Sequence, residues 1–376
     1  MRKEVKMTNK ELKKNLEDCV NCGLCYKVCP MMNTFGDSPK NILRDIDKNK
    51  ISYDEIAYSC MLCNACTEAC PKDINLKEMF QNLRIKSYRE NLKNTSKKFN
   101  LKVVQNHQKG SFSKFLTSKN NHKKIKRVFI PGCSLSGYNN EIIFKIKDYL
   151  IENLGEVEIL LKCCGKPSKD IGNLELFESN LNDIENNLKI KEVDEIIVAC
   201  ENCYKTFGSA FKDIKVITLW EVINEFGVPK ELKNKYSDLK EEFALHDPCP
   251  IKKEEQIHEA VRSILKDLGI KIVEFEKNRS KTECCGCGGM VGVTNKELWL
   301  SQKNKRANST ECENIVSYCE SCVNTFKSSD KNALHILDFI FNEDVINGKA
   351  KSQKNISTIN QWINRIKLAN KVGKES

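Results

Sequence analysis

Residues 128–133 read VFIPGC, and residues 243–249 read FALHDPC. Each stretch is a short apolar run that ends in a turn residue and a cysteine. Each is followed by the same landmarks. CCG stands at Cys163–Cys164–Gly165 and again at Cys284–Cys285–Gly286. C-x₂-C stands at Cys200 and Cys203, and again at Cys319 and Cys322. The offsets between copies are 249 − 133 = 116, 284 − 163 = 121 and 319 − 200 = 119. So steady an offset marks an internal duplication, and it decides the architecture.

Within each copy, apolar runs of strand length alternate with stretches of helical periodicity. The first copy predicts strands at Val128–Ile130, Val157–Leu161, Glu195–Ala199 and Val216–Leu219. Between them come helices at Glu141–Asn153 and Leu174–Leu188, a helix through Phe211, and Glu221–Glu225 at the end. The second copy predicts strands at Phe243–Leu245, Ile270–Phe275 and Ile315–Ser317, with helices Glu254–Leu268 and Lys296–Asn308. Its stretch Ala333–Phe341 matches 216–226. Alternating strands and helices imply βαβ units and a parallel sheet. Ligands of such sheets bind beyond the carboxyl ends of the strands. Every cysteine group of both copies falls after a predicted strand, so each copy gathers five cysteines at one sheet edge.

Ahead of the duplication lie two C-x₂-C-x₂-C-x₃-C-P runs, Cys19, Cys22, Cys25, Cys29 and Cys60, Cys63, Cys66, Cys70. Thiolates at this spacing hold [4Fe–4S] cubanes, and the fourth cysteine of each run ligates the other cluster. The expected sets are therefore Cys19, Cys22, Cys25, Cys70 and Cys60, Cys63, Cys66, Cys29. Four cysteines also suit zinc, but the third cysteine and the proline of both runs argue for iron. Helical stretches Lys10–Glu17, Ile42–Asp47 and Lys77–Arg89 flank the runs, and strand signals are almost absent.

The organisation expected is α+β and multidomain. A helical two-cluster ferredoxin-type domain covers 1–90 and a polar, basic linker with some helix covers 91–125. Two α/β cysteine-rich domains follow at 126–235 and 240–345. A basic C-terminal tail, 346–376, has Ile356, Ile359, Ile363 and Ile366 with Trp362 on one side of an amphipathic helix, read as covering the core, with docking to a partner or a membrane surface as the other reading.

Composition narrows the function. The chain has 376 residues, 40% of them hydrophobic and 30% charged, and a formal charge of 62 − 51 = +11. No run approaches the roughly 18 apolar residues of a membrane span, and the basic start has no apolar segment behind it. A cytoplasmic location is expected, where thiols stay reduced. In that setting, twenty cysteines at C-x₂-C spacings mean metal rather than disulfides. Bound clusters carry negative charge of their own and lower the net charge. No nucleic-acid-reading module is recognisable. There is also no flavin or nicotinamide motif: Gly286–Cys287–Gly288–Gly289 does not continue as a dinucleotide fingerprint, and a close backbone approach explains it better. Hydride chemistry would need a partner.

The remaining candidates are few. Cys287 stays open because it adjoins the second copy's set, and Cys312 reads as a small buried hydrophobe. His246 reads as structural, with donation to a substrate or a sulfide as the other reading. His258 is expected on a helix surface.

On the CCG and C-x₂-C landmarks and the C-P runs, residues 15–342 resemble proteins with tandem cysteine-rich CCG domains. That family includes the catalytic subunits of heterodisulfide reductase. It also includes the iron–sulfur subunits of glycolate oxidase and anaerobic glycerol-3-phosphate dehydrogenase. The resemblance implies two further iron–sulfur centres, non-cubane [4Fe–4S] in heterodisulfide reductase. Cys133, Cys163, Cys164, Cys200 and Cys203 would hold one. Cys249, Cys284, Cys285, Cys319 and Cys322 would hold the other, and would be catalytic if the chain reduces a disulfide. Zinc or an ordinary cubane on four of the five thiols stays open in either copy. The resemblance also implies a flavoprotein dehydrogenase or other redox subunits as partners, through which the chain could associate peripherally with a membrane. Many relatives carry a histidine where Pro250 stands, which puts a proton-transfer role there in doubt.

Overall fold

The computed structural model describes residues 17–36, 38–48, 50–113, 115–117, 123–348, 351 and 356–375. The expected helix Lys10–Glu17 lies almost wholly outside them. The chain forms two compact units, and neither follows the order of the sequence. One runs to Gln105 and also takes in Pro167–Leu174 and Gly286–Gln302. The other holds 106–166, 175–285 and the chain from Lys303 onward.

The first unit is helical. The C-P runs carry short helices, Leu24–Val28, Pro30–Phe35 and Ala65–Glu68. Pro30 and Pro39 each open a helix, where the missing N–H costs nothing. Helix Leu76–Lys98 starts at the Asn75 cap and is kinked at Asn91. Segment 91–125, expected as a linker with some helix, is helical through Leu101–Ser111. The reason is apolar content that its Lys and Asn excess conceals: Phe99, Leu101 and Val104 are buried with Tyr58 and Ile171 in one small core.

The second unit contains both copies of the duplication, each as a four-stranded parallel sheet. In the first, β1 (Arg127–Ile130), β2 (Glu158–Ile159), β3 (Glu195–Val198) and β4 (Lys215–Thr218) stand in the order β2-β1-β3-β4. In the second, β5 (Phe243–His246), β6 (Ile272–Glu274), β7 (Asn314–Ser317) and β8 (Asn332–His335) stand in the equivalent order β6-β5-β7-β8. The strands are short, and the central ones carry consecutive buried residues, Val128–Ile130 in β1 and Ile196–Val198 in β3, because both of their faces are covered. Val128 and Ile130 pack on one side of β1 with Leu181, Ile184 and Phe207, while Phe129 between them faces the other.

That other face belongs to a core common to both copies. It joins Phe129, Ile146 and Trp220 of the first to Phe243, Val261 and Phe339 of the second. Tyr138 Oη donates to Asp338 Oδ1 at 2.8 Å across the same junction. Matching caps betray the common ancestry of the copies. Thr218 forms a capping box with Glu221, and His335 forms one with Asp338.

The C-terminal helix Thr358–Glu375 presents a different face from the one its isoleucines suggest. Ile359, Ile363 and Ile366 are exposed, whereas Arg365, Leu368 and Val372 are buried. Gln361 and Trp362 lie against Gly137 and Gly110, and the bare glycines let the helix come this close.

Candidate iron–sulfur sites

In the helical unit the two C-P runs share one backbone pattern. Asn21 and Gly23 of the first run and Leu62 and Asn64 of the second have positive φ, between 52° and 74°. The left-handed region is tolerated by Asn and Gly but is unusual for Leu. It curls each loop so that successive N–H groups turn inward, the kind of nest that receives sulfur anions. Leu62 N–H accordingly donates to Cys60 Sγ at 3.4 Å.

Cys19, Cys22 and Cys25 line one cavity together with Cys70 from the other run. Burial pushes the Cys29 thiol up, and the nearby Cys60 and Cys63 add to it. Burial also raises Cys66, with Cys60, Cys29 and Cys63 as its close neighbours. The fourth cysteine of each run thus lies among the first three of the other.

Arg84 anchors this unit from within. It is fully buried on helix Leu76–Lys98. Its Nε donates to Ala57 O at 2.7 Å, its Nη1 to Asp170 O and Gly289 O at 2.6 Å each, and its Nη2 to Cys60 O. Asp170 and Gly289 lie on the segments that follow the two CCG motifs in sequence. Gly172 and Gly289 have φ of 92° and 60°, and a Cβ on either would lie 2.5 Å from the carbonyl oxygen of Arg84 or Cys60.

In the sheet unit, four of the six landmarks sit just beyond the carboxyl ends of central strands. Cys133 and Cys200 open helices after β1 and β3, and Cys249 and Cys319 do so after β5 and β7. The Cys163–Cys164 pair follows β2 by a few residues. Cys284–Cys285 stands ten residues past β6, after the turn Arg279–Lys281. Gly132, with φ 84°, passes so close to Cys200 that a Cβ there would lie 2.9 Å from Cys200 Cβ.

The sulfurs of the first copy form a chain of contacts. Cys133 meets Cys163, Cys164 meets Cys163 and Cys203, and Cys203 meets Cys200. In the second copy Cys285 meets Cys284 and Cys322, the latter at 3.2 Å, and Cys322 meets Cys319. Thiol donors around Cys164 and Cys285 hold those two sulfurs well below the ordinary thiol range. Their neighbours Cys203 and Cys322 are pushed up by the same contacts and by burial. Five thiols in contact in the first copy, and four in the second with Cys249 one turn beyond β5, cannot ionise together unless a cation sits among them. The donor sets therefore fit a polynuclear metal centre better than a cluster of free thiols.

Several side chains around these sites have no signal in the spacing of cysteines. Gln108 reaches Cys163 Sγ with its Nε2 at 3.7 Å. Arg365 of the C-terminal helix donates to the carbonyl oxygen of Cys133 through Nε, at 3.0 Å, and through Nη2. The C-x₂-C of both copies reads C-E-x-C, and burial raises Glu201 and Glu320 to about 8. The repeated glutamate was there to be seen in the sequence.

His246 is fully buried next to Cys285 and Cys322. His258, expected on a helix surface, is buried as well. Its helix turns that face onto Asp247, Arg262 and Arg279, which are its charged neighbours. Cys312 is half-buried at the amino end of β7, where its Sγ contacts the carbonyls of Glu242 and Asn314. It is therefore at the opposite end of the sheet from Cys319. Cys287 lies on the segment that belongs to the helical unit. Among the described residues no helix is long and apolar enough to cross a membrane.

Comparison with known proteins finds domains of both kinds in the chain. Residues 15–74 match a 4Fe-4S dicluster domain, and residues 128–208 and 243–327 each match a cysteine-rich CCG domain. An uncharacterized iron–sulfur protein of Methanocaldococcus jannaschii is 28% identical over 75% of this chain. This chain spans only 60% of that relative's length. One subunit of the fumarate reductase (CoM/CoB) of Methanothermobacter marburgensis is 23% identical over 88% of this chain and 73% of its own. One subunit of the dihydromethanophenazine:CoB–CoM heterodisulfide reductase of Methanosarcina mazei is 22% identical over 82% of this chain and 87% of its own. With a dicluster domain ahead of two cysteine-rich sheets, the chain belongs to the tandem CCG-domain iron–sulfur proteins.

Proposed function

We propose that the chain is an electron-transfer subunit of an oxidoreductase, taking electrons from a flavoprotein dehydrogenase and passing them to an acceptor at its cysteine-rich sheets. The observation that carries this reading is the sorting of eighteen cysteines into two loop nests and two sheet edges. When bound, iron–sulfur clusters supply one-electron carriers at these positions.

Cys19, Cys22, Cys25 and Cys70 would hold one cubane, and Cys60, Cys63, Cys66 and Cys29 the other. The five-cysteine sets of the two sheets would hold the remaining centres. The protein's own contribution is to bury the thiols, to aim N–H donors at sulfur and to exclude water. Leu62 N–H and Gln108 Nε2 already stand in such positions.

A second reading is favoured by the relative from Methanosarcina mazei, named as part of a heterodisulfide reductase. Under it, the second sheet's cysteines would face a disulfide substrate, and other redox subunits would be the partners. Anaerobic electron paramagnetic resonance, with and without a thiol after mild oxidation, separates the two. A signal that appears only with thiol supports the reductase; an unchanged spectrum supports the carrier.

A further inference from the structure

The side chain that stands out at the second sheet is His246, three residues before Cys249. A ring nitrogen of His246, Cys285 Sγ and Cys322 Sγ all lie within 4.8 Å of one another, and all three residues are buried. Two roles fit that position. The imidazole can ligate metal, or it can give a hydrogen bond to a ligating sulfur.

The environment of the other ring nitrogen decides between them. Arg306 is 1% exposed. Its Nε lies 3.4 Å and its Nη2 3.3 Å from His246 Nδ1. Guanidinium has only donors, so Nδ1 must accept. The proton of the neutral ring is then on Nε2. A nitrogen that carries its proton has no lone pair for a metal.

His246 Nε2 is also buried without a hydrogen-bond partner. An N–H left so in the interior is costly, and the acceptors beside it are the cysteine sulfurs. The arrangement has little freedom. Arg306 is held over the Phe275 ring at 4.0 Å and donates to Lys277 O at 3.0 Å. The imidazole stands edge-on to Phe326, with centroids 4.9 Å apart. The residue three before the first cysteine of the other copy is Ile130, a core residue of β1. The duplication therefore did not supply this donor to both sheets.

We propose that His246 is a positioning residue: locked by Arg306 as the Nε2–H tautomer, it hydrogen-bonds the Cys285 thiolate and raises the reduction potential of the second sheet's iron–sulfur centre. This rests on the reading that the second five-cysteine set holds such a centre. A hydrogen bond to sulfur stabilises the reduced, more negative form, and so moves the potential up.

The test is a potentiometric titration of the full chain, anaerobically purified and followed by electron paramagnetic resonance. The signal lost in Cys322→Ser identifies the second centre. His246→Leu removes the donor, whereas His246→Gln places an amide N–H near the position of Nε2. His246→Leu is expected to lower the reduced-to-oxidised ratio of that signal at least tenfold at a fixed potential, about 59 mV for one electron. His246→Gln is expected to restore most of it, and the other signals are expected to stay put. Full iron with an unmoved potential in His246→Leu overturns the proposal. Loss of iron from the centre in both variants also overturns it, because it makes His246 a ligand. If Cys322→Ser removes neither iron nor signal, the reading of the centre itself fails.

Discussion

Asp170 and Gly289 present their carbonyl oxygens to the same nitrogen, Arg84 Nη1, at 2.6 Å each. One residue follows the first CCG motif and the other follows the second, so a single buried cation ties equivalent segments of both copies into the helical unit. The same guanidinium holds Ala57 O and Cys60 O. Arg84→Met removes the donor these four carbonyls share; Ala57 O also accepts from the Cys60 N–H at 3.3 Å. The expected cost is more than about 3 kcal/mol, since each buried unsatisfied group costs about 1–3 kcal/mol. Arg84→Lys is expected to rescue little, because a single ammonium cannot match the planar fork. Urea unfolding followed by cluster absorbance measures both, and wild-type stability in Arg84→Met would contradict the role given to this residue.

Gly289 makes the close approach to Cys60 O with φ 60°. Alanine there pays for the left-handed backbone and drives its Cβ against a carbonyl oxygen that is itself fixed by Arg84. Gly289→Ala is therefore expected to destabilise the helical unit by about 1–3 kcal/mol and to accelerate oxygen damage of the cluster at Cys60. The check is the rate of cluster bleaching in air.

The grouping of cysteines in the helical unit predicts which substitutions share a phenotype. Cys29→Ser is expected to remove the same paramagnetic signal as Cys60→Ser, and Cys70→Ser the same signal as Cys19→Ser. Each loss should take about four irons with it. Signals that sort by run, Cys29 with Cys19 and Cys70 with Cys60, would contradict the crossed arrangement.

Stability is expected to fall on both sides of an intermediate pH. Burial lowers His335 to about 3, with the Lys327 charge adding to it. Below its unfolded value near 6.5 the unfolded chain binds the extra proton, so stability is lost as pH falls from 6.5 towards 3. Burial raises Glu201 and Glu320 to about 8. The folded chain binds those protons, so their contribution is present below about 4.5 and is lost as pH rises towards 8. Each group changes the slope by about 1.4 kcal/mol per pH unit. Urea midpoints across pH 4–8 check this as differences from wild type: His335→Asn should gain on wild type as pH falls from 6.5 towards 4, and Glu320→Gln should gain on wild type as pH rises from 4.5 towards 8.

Much of this was legible from spacing. The strand-and-helix alternation of 128–226 and its return from 243 pointed to the paired parallel sheets, because central strands covered on both faces carry consecutive apolar residues. The C-P runs announced their chemistry by residue type alone. What spacing could not show was contact between distant segments. Arg84, Gln108 and Arg365 lie far in sequence from the cysteines they bond, as Arg306 does from His246, and each looks like an ordinary polar residue of a helix. The tail misled for a related reason. Its isoleucines are the most hydrophobic residues present, yet the buried face is chosen by Gly110 and Gly137, which let Trp362 and Gln361 approach. His258 is buried against expectation because the carboxylate and guanidinium beside it, Asp247 and Arg262, are themselves buried and paired.

The central claim is that all four cysteine sets hold iron–sulfur centres. The most direct measurement is the iron, sulfide and zinc content of the full chain after anaerobic purification. About sixteen irons with matching sulfide and no zinc is the predicted result, four for each set. About eight irons with zinc present would contradict it, leaving the cubanes in place and the sheet edges as zinc sites.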